Sequence, residues 1–323
     1  MSDTAIAVPG RVEALPGPGP WLGALKGLWR FARHKPLGAA GLVIIVAMVV
    51  CAVFADNQLV TLFRRDDPLL APYYYDDQDI ANRLRPPSPS HLFGTDRLGR
   101  DMLSQVIYGA RTSLLIGLSA VAISMGLATL VGTVSGYIGG RLDLLVQRLV
   151  DAWISFPAIV ILLTGVQVAK EYAGPSPTTQ SAAIVAVLGL VLAAGASRVI
   201  RGATLAVKNN VFVEAARAVG ASDMRIIFRH ILPNVMPVVI VLATLQLGAA
   251  ILAVGTIGFL GFGVPAPFPD WGRMLSTEGL LFMRAHPWLA VWPGLAIFLA
   301  VWGLNVLGDA LRDLLDPRLR GLR

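Results

Sequence analysis

The sequence predicts an all-α integral membrane protein with six transmembrane helices. Of its 323 residues, 55% are hydrophobic and only 15% are charged, whereas soluble domains average about 25% charged residues. The mean hydropathy is +0.66. Two further observations give the number and direction of the helices, namely six long apolar runs and an uneven distribution of basic residues between them.

Each apolar run is close to the ~20 residues that a helix needs to cross the hydrocarbon core of a bilayer. The first run is uncharged throughout, and the fourth is short. The six predicted spans are residues 37–55, 114–138, 152–169, 182–197, 235–259 and 288–307.

The first run has a second interpretation, because Val53, Phe54 and Ala55 resemble a signal-peptidase site after an apolar core. The apolar core of a signal peptide is about 7–15 residues long. The run in this chain is longer and begins after residue 36. A retained membrane anchor is therefore favoured.

Basic residues predict the direction of the spans. Arginine and lysine are concentrated before the first span, between the fourth and fifth spans and after the sixth, whereas Lys170 and Glu171 are the only charges between the third and fourth. The positive-inside rule places such basic segments in the cytoplasm. We therefore expect both termini and the 211–233 segment to be cytoplasmic, and we attribute the net charge of +7 to orientation rather than to nucleic-acid binding.

The spans divide the chain into five parts. Within the first part, Trp21, Leu25 and Trp29 share a helical face, which predicts a short helix on the inner membrane surface; an extension of the first span is the alternative. The parts are a cytoplasmic segment 1–36, the first span 37–55, an outer loop 56–113, a five-helix core 114–307 that includes 211–233, and a cytoplasmic tail 308–323.

A polar motif ends the outer loop. Thr95 or Asp96 is expected to cap a helix that continues through Met102 and Tyr108. Arg100 and Asp101 are expected to form a local ion pair or to hold the loop to a neighbour. The residues of this motif are Gly94, Thr95, Asp96, Gly99, Arg100 and Asp101.

Few polar residues lie inside the spans. Polar groups at membrane depth normally face protein or a water-filled cavity, so Thr129, Gln167, Gln246 and Asn305 are candidates for the translocation path. Hydrogen bonding between helices is an equally good explanation for each of them. The glycines of the 132–136 stretch are interpreted as a close helix contact. The four histidines and the single cysteine show no metal-ligand spacing, so no metal site is expected.

The 211–233 segment predicts two short helices between the fourth and fifth spans. Phe212, Ala215, Ala216 and Val219 follow the spacing of an apolar stripe, and Gly220 can end the helix with a positive φ. Glu214 and Arg217 are spaced so that they can pair.

The second short helix should begin at Ser222, a capping residue, with Asp223 in its first turn and an apolar stripe through Met224, Ile227, Phe228 and Ile231. Pro233 should end it. Neither helix is long enough to be stable alone. The small Ala215–Ala216 pair would allow another surface to approach closely, so the segment is interpreted as a docking site; a simple connection between spans is the alternative.

The same segment resembles a known signature. Glu214, Ala215 and Ala216, followed by Gly220 six residues and Pro233 nineteen residues after Glu214, match the EAA signature of ATP-binding-cassette importer permeases. The chain departs from the signature at His230, where isoleucine is usual. Further stretches resemble, in the right order, the C-type permeases of dipeptide, oligopeptide and nickel importers. They are residues 93–101, 108–111, 258–263 and 307–313.

This resemblance implies a type I importer permease fold in a bacterial inner membrane, with the EAA segment acting as a coupling helix in a groove of a cytosolic ATPase. It implies a heterodimer with a second homologous permease, two ATPase subunits and an extracytoplasmic substrate-binding protein. ATP and magnesium would be used by the ATPase subunits; this chain has no G-x-x-x-x-G-K-[ST] phosphate loop and is expected to be a non-catalytic subunit without a cofactor. The expected coupling residues are Glu214, Ala215, Ala216, Arg217, Gly220 and Asp223.

The resemblance leaves the substrate open. Dipeptides or oligopeptides are expected, and nickel complexes or another small solute are the alternatives because their importers share these motifs. A proton-coupled carrier would need acidic residues at mid-membrane, whereas Asp151 lies at the end of a span. An exporter would need no external binding protein, and the outer loop and the EAA signature favour import.

Overall fold

A computed structural model describes residues 29, 31–33, 35–55 and 70–315, with side chains given up to residue 313. The described residues are mostly helical. They contain no β-strand, only an isolated antiparallel bridge between Thr95 and Asp101. Most of the predicted surface helix within residues 21–35, and the tail beyond residue 315, lie outside these residues.

The helices follow one another with short connections, except for two longer segments, residues 70–101 and 260–287. A 3₁₀-helix covers Ile80–Asn82, and π turns cover Ile227–Ile231 and Met274–Gly279. The α-helices are α1 (Pro36–Phe54), α2 (Met102–Ile138), α3 (Gly140–Ser155), α4 (Ala158–Ala173), α5 (Pro177–Lys208), α6 (Val211–Ala218), α7 (Asp223–Ile226), α8 (Leu232–Phe259), α9 (Trp271–Arg273), α10 (Leu280–Phe282) and α11 (Trp288–Leu315).

Five stretches of the described chain are long and apolar enough to cross a membrane: α1, α2, α5, the stretch from α7 through α8, and α11. A sixth span results only if the bent pair of α3 and α4 counts as one. The predicted third span at 152–169 runs from the end of α3 into α4, and the chain turns by 92° between the two helices. Pro157 explains the break, since the residue before a proline avoids helical geometry and Phe156 has an extended ψ of 144°.

Several helices continue beyond the predicted apolar runs. α2 begins at Met102, inside the predicted outer loop, and α5 covers Pro177–Lys208 instead of 182–197. The 37 residues of α2 are about 55 Å long at 1.5 Å per residue, well above the ~30 Å of the hydrocarbon core. Apolar runs mark only the part of a helix inside the bilayer. The helix expected through Met102 and Tyr108 is the first part of α2, whereas the extension of α5 was not predicted.

α2 and α5 pack closely through glycines, as the 132–136 stretch predicts. A Cβ atom on Gly132 would lie 2.6 Å from the carbonyl oxygen of Ser197, and one on Gly136 would lie 3.1 Å from Cβ of Thr204. The backbones therefore meet at Gly132, where a side chain would have to push the two helices apart.

Gly132→Ala should lower the free energy of unfolding by about 1–3 kcal/mol, the usual cost of overpacking a filled contact. Gly126→Ala is the matched control on the same helix, because no atom lies within 4 Å of its Cβ position. It should leave stability unchanged or raise it by up to about 1 kcal/mol through helix propensity. Thermal unfolding of both variants in detergent measures the difference; a Gly132→Ala protein as stable as the wild type would refute the contact.

The two longer segments meet at one end of the bundle, here called the loop end. Nε of Arg97 lies 3.0 Å from Oε1 of the buried Glu278, and Nε1 of Trp271 donates to the carbonyl oxygen of Val106 at 3.0 Å. Burial raises the pKa of the Glu278 carboxyl. These contacts join residues 70–101 to residues 260–287 and to α2.

The polar motif of residues 94–101 is part of this structure, but the predicted cap of α2 is wrong. The capping residue of α2 is Asp101, whose side chain accepts from the backbone N–H of Ser104 at 2.8 Å, and not Thr95 or Asp96. Asp101 contacts His91 at 3.0 Å, while Arg100 pairs with Asp96 at 2.6 Å. Because the helix begins later than expected, each acidic residue takes a different partner.

The glycines of this motif are fixed by close contacts. Gly94 and Gly99 have φ values of 78° and 76°, and a Cβ atom on Gly99 would lie 1.8 Å from the carbonyl oxygen of Asp79. Thr95 accepts from the N–H of Arg85 at 2.9 Å. The motif therefore holds the loop against the start of α2.

Candidate functional site

α6 and α7 lie at the opposite end of the bundle, here called the α6 end, and meet at a glycine turn. Gly220 has φ of 79°, and its N–H donates to the carbonyl oxygen of Arg217 at 3.0 Å. The N–H of Ala221 donates to the carbonyl oxygen of Ala216 at 3.0 Å. This pair of bonds is a Schellman motif, and it confirms the prediction that Gly220 ends the helix with a positive φ.

One side of the two helices is anchored in the bundle core. Val213 and Ala216 of α6 and Ile226 of α7 are buried, and they belong to one apolar cluster with Ile200 of α5 and Val235 of α8. Burying apolar surface of this kind stabilises helices that are too short to be stable alone. A displacement of α6 must therefore act on the helices around it.

The other side is exposed, and here the sequence prediction is partly wrong. Of the predicted stripe Phe212, Ala215, Ala216 and Val219, only Ala216 is buried, and Val219 is 84% exposed. In the second stripe Ile227 and Ile231 are buried, but Met224 and Phe228 are exposed. The apolar residues have the predicted spacing, but most of the first stripe is exposed. α6 packs against the core through Val213 and Ala216 instead.

Glu214, Ala215 and Arg217 share the exposed side with these apolar residues. Val211, at the start of α6, is 80% exposed. Exposed apolar residues beside charged ones are typical of a surface that binds another protein. The predicted coupling residues thus lie on one accessible surface, with Ala216 beneath it.

The second half of the segment differs from the prediction. Pro233 does not end a helix: Ile227–Ile231 form a π turn, α8 continues through the proline, and residues 223–259 form one span-length helix. A local π adjustment accommodates a proline that cannot donate an N–H. Ser222 occupies the capping position of α7, but its side chain makes no capping bond.

The π turn contains His230, where the chain departs from the EAA signature. The His230 ring centroid lies 6.4 Å from that of Phe212. This contact joins α6 to the start of α8 across the Gly220 turn.

Tyr137 is a residue of this site that the sequence analysis missed. It lies at the end of α2, and its hydroxyl donates to Oδ1 of Asp223 at 2.6 Å. The side-chain nitrogen of Lys208 lies 5.7 Å from the Tyr137 ring centroid, and the guanidinium carbon of Arg217 lies 6.0 Å from it. No sequence signal could have identified Tyr137, because 86 residues separate it from Asp223.

Arg217 was expected to pair with Glu214, but the contact found for it is with Tyr137. Hydrogen bonding to Tyr137 raises the pKa of the Arg217 guanidinium, and the Asp223 and Glu214 carboxylates contribute to the same direction. Arg217 is therefore a permanent cation at the exposed turn between α6 and α7.

The four polar candidates inside the spans are in different environments. Gln246 joins three helices, since its Oε1 accepts from Ser124 at 2.9 Å and its Nε2 donates to the carbonyl oxygen of Leu192 at 3.2 Å. Asn305 is packed against Gly248, where a Cβ atom would lie 2.3 Å from Oδ1. For Gln246 the structure favours interhelical bonding.

Thr129 and Gln167 have less protein around them. Thr129 is half-buried in a groove of about 440 Å³ between α2 and the α7–α8 stretch, where it lies near Met125 and Phe228. Gln167 is exposed on α4. Of the four, Gln167 and Asn305 are exposed, whereas the hydroxyl of Thr129 is buried beside its groove.

Comparison with known proteins identifies the family. Residues 128–321 match the family described as "Binding-protein-dependent transport system inner membrane component", and residues 23–87 match the "N-terminal TM domain of oligopeptide transport permease C". The chain belongs to this permease family.

Relatives of the permease match along most of their length. The permease is 38% identical to the dipeptide transport system permease protein DppC of Alkalihalophilus pseudofirmus over 301 residues. This alignment covers 93% of the permease and 91% of the relative. The permease is 36% identical over 293 residues to the glutathione transport system permease protein GsiD of Escherichia coli O157:H7, covering 91% and 90%. The permease is thus a multi-pass inner-membrane subunit of an ATP-binding-cassette importer.

The fold agrees with this family. The permease resembles a chain of the inward-facing MetNI methionine ABC transporter with a TM-score of 0.55 and 20% sequence identity, covering 67% of the permease and 98% of that chain. The expected type I importer permease fold is confirmed.

Proposed function

We propose that this permease carries dipeptides or oligopeptides into the cell and that its α6–α7 segment is the contact with a cytosolic ATPase. The observation that carries the coupling assignment is the two-sided packing of α6. Val213 and Ala216 anchor the helix in the core, while Glu214 and the exposed apolar residues present a surface at the α6 end. A helix of this kind can bind a partner and pass its movement to the spans.

The proposed orientation follows from charge. Basic residues are concentrated at the α6 end, in residues 198–229 and in both terminal segments, so the α6 end and both termini face the cytoplasm. The loop end then faces outward, where a substrate-binding protein docks. ATP and magnesium bind to the ATPase subunits, and the permease itself is a non-catalytic conduit.

The proposed assembly contains a second, homologous permease and two ATPase subunits. The groove between α2 and the α7–α8 stretch supports the pairing, because it is almost wholly apolar and carries the exposed Met224 and Phe228. The translocation path would lie between the two permeases. Thr129, in this groove, and the exposed Gln167 and Asn305 are its candidate residues, and Gln246 is retained as a residue that fixes the helices around it.

The peptide assignment is supported by the dipeptide and glutathione permeases among the relatives. Nickel complexes are the second candidate, carried only by the resemblance of residues 93–101 and 258–263 to importers of both kinds. Selectivity in such assemblies depends largely on the binding protein, so the permease alone does not decide between them.

Affinity purification of the tagged permease from its native membrane tests the whole proposal. We expect two ATPase subunits, a second permease and a binding protein to co-purify, with peptide released from the binding protein and detected by mass spectrometry. Metal analysis of the same sample is the control for the nickel alternative. Bound nickel without peptide would overturn the peptide assignment, and the absence of any ATPase would overturn the coupling assignment.

A further inference from the structure

Tyr137 contacts the ends of three other helices from the end of its own helix. Its own helix, α2, ends one residue later, and Asp223 is the first residue of α7. Lys208 is the last residue of α5, and Arg217 is in the last turn of α6. A single side chain therefore contacts both sides of the Gly220 turn and the ends of two long helices.

The contacts of Tyr137 are of kinds that hold geometry. The hydrogen bond to Asp223 has a carboxylate acceptor at 2.6 Å, and bonds to charged acceptors are roughly twice as strong as neutral ones. Lys208 and Arg217 both lie within about 6 Å of the ring centroid, the range of cation–π attraction. Tyr137 itself is only 4% exposed, whereas Asp223 and Arg217 are exposed at the turn.

The chain beyond α2 leads away from the α6–α7 segment through two glycines. Gly139 and Gly140 follow the helix with φ values of 71° and 60°, and no atom lies within 4 Å of a Cβ position on Gly140. Glycine adopts such angles without strain. α3 is held to α5 instead, where Nε of Arg201 donates to Oδ1 of Asp143 at 2.6 Å. The polar link between the end of α2 and the α6–α7 segment is therefore Tyr137.

We propose that Tyr137 is a positioning residue that transmits movement of the α6–α7 segment to α2 during transport. Its hydroxyl fixes the start of α7 and its ring fixes the end of α6, so both helices and α2 move together when a partner displaces the exposed surface. This inference rests on the proposed contact with an ATPase and adds the side chain through which that contact acts.

Tyr137→Phe tests the inference, because it removes one hydroxyl and keeps the buried ring. The full complex of both permeases, ATPase subunits and binding protein is reconstituted in vesicles, and peptide transported per ATP hydrolysed is measured. We expect this ratio to fall about fivefold or more, the lower end of typical coupling between sites. Tyr172→Phe is the matched control, since Tyr172 is 87% exposed at the end of α4, and its ratio should be unchanged.

A double-mutant cycle with Asp223→Asn identifies the bond responsible. If the hydroxyl–carboxylate bond is the connection, the double variant should lose no more than the worse single variant, because both changes break the same contact. Independent losses that add would overturn the assignment to this bond.

Two other outcomes would also overturn the inference. A Tyr137→Phe complex with the wild-type ratio would show that the hydroxyl transmits nothing, and the proposed ATPase contact would stand. A Tyr137→Phe complex that simply loses its ATPase subunits would show a structural role instead. Failure of the proposed function is recognised separately, because the wild-type complex would then transport without hydrolysing ATP.

Discussion

Glu214→Lys should abolish ATP-driven uptake while leaving the permease folded in the membrane. Glu214 is exposed, so its replacement should change the free energy of unfolding by no more than about 0.5 kcal/mol from lost contacts. It lies in the first turn of α6, where lysine opposes the helix dipole by about 0.3–1 kcal/mol. At a protein contact, by comparison, disrupting a buried charge pair costs about 2–5 kcal/mol, or roughly 30-fold to several thousand-fold in affinity.

Glu171→Lys is the matched control. Glu171 is also exposed on a short helix, α4, but it lies at the loop end, away from the proposed ATPase contact. Uptake of labelled peptide by cells that express each variant measures function, immunoblots of the membrane fraction measure insertion, and co-purification measures ATPase binding. Normal uptake by Glu214→Lys, or equal loss in both variants, would refute the assignment of α6 as the coupling surface.

Gly220→Val should also abolish uptake without preventing insertion. Gly220 has φ of 79°, a conformation that costs a residue with a side chain about 1–2 kcal/mol and that a β-branched residue rarely adopts. No atom of the described residues lies within 4 Å of the Cβ position of Gly220, so a Cβ atom there causes no clash with them. The damage is therefore confined to the angle between α6 and α7 and to the surface that a partner would contact.

Two further variants test whether the loss of uptake comes from the position of Gly220 or from backbone strain in general. Gly174→Val introduces backbone strain at the loop end, since Gly174 has φ of 77° and ψ of −175°, a region open essentially only to glycine, with open space at its Cβ position. It should nevertheless retain uptake. Gly220→Asn keeps the positive φ accessible, because asparagine tolerates this region, and it should recover part of the lost uptake. If Gly174→Val lost uptake to the same extent, general strain would explain the result and the special role of Gly220 would be wrong.

Predictions from the sequence succeeded where a structural property depends on one residue or one short stretch. Gly220 was predicted to take a positive φ, and Gly132 and Gly136 to allow close packing, and the structure confirms both. In each case the property belongs to the residue itself, because only glycine lacks the Cβ atom that the geometry excludes. The apolar runs similarly predicted the first, second and fifth spans, since the bilayer requires ~20 apolar residues whatever the neighbours are.

Predictions failed where partners compete for one residue. Asp101, rather than Thr95 or Asp96, caps α2, and Arg217 contacts Tyr137 instead of Glu214. Each of these side chains had a reasonable partner nearby in sequence, but the packing of α2 against the rest of the chain brought another one closer. The broken third span is different: Pro157 carried the signal for it, and apolar content outweighed that signal in the prediction.

The sequence by itself determined the membrane class, the approximate spans, the glycine turn at residue 220 and the resemblance to importer permeases, because composition, apolar length and φ preference are properties of short stretches. Only the tertiary structure decided which side of α6 is buried and that Tyr137 lies between Arg217 and Asp223. An apolar spacing on a helix identifies a face, but the face becomes a core or a docking surface only through what packs against it.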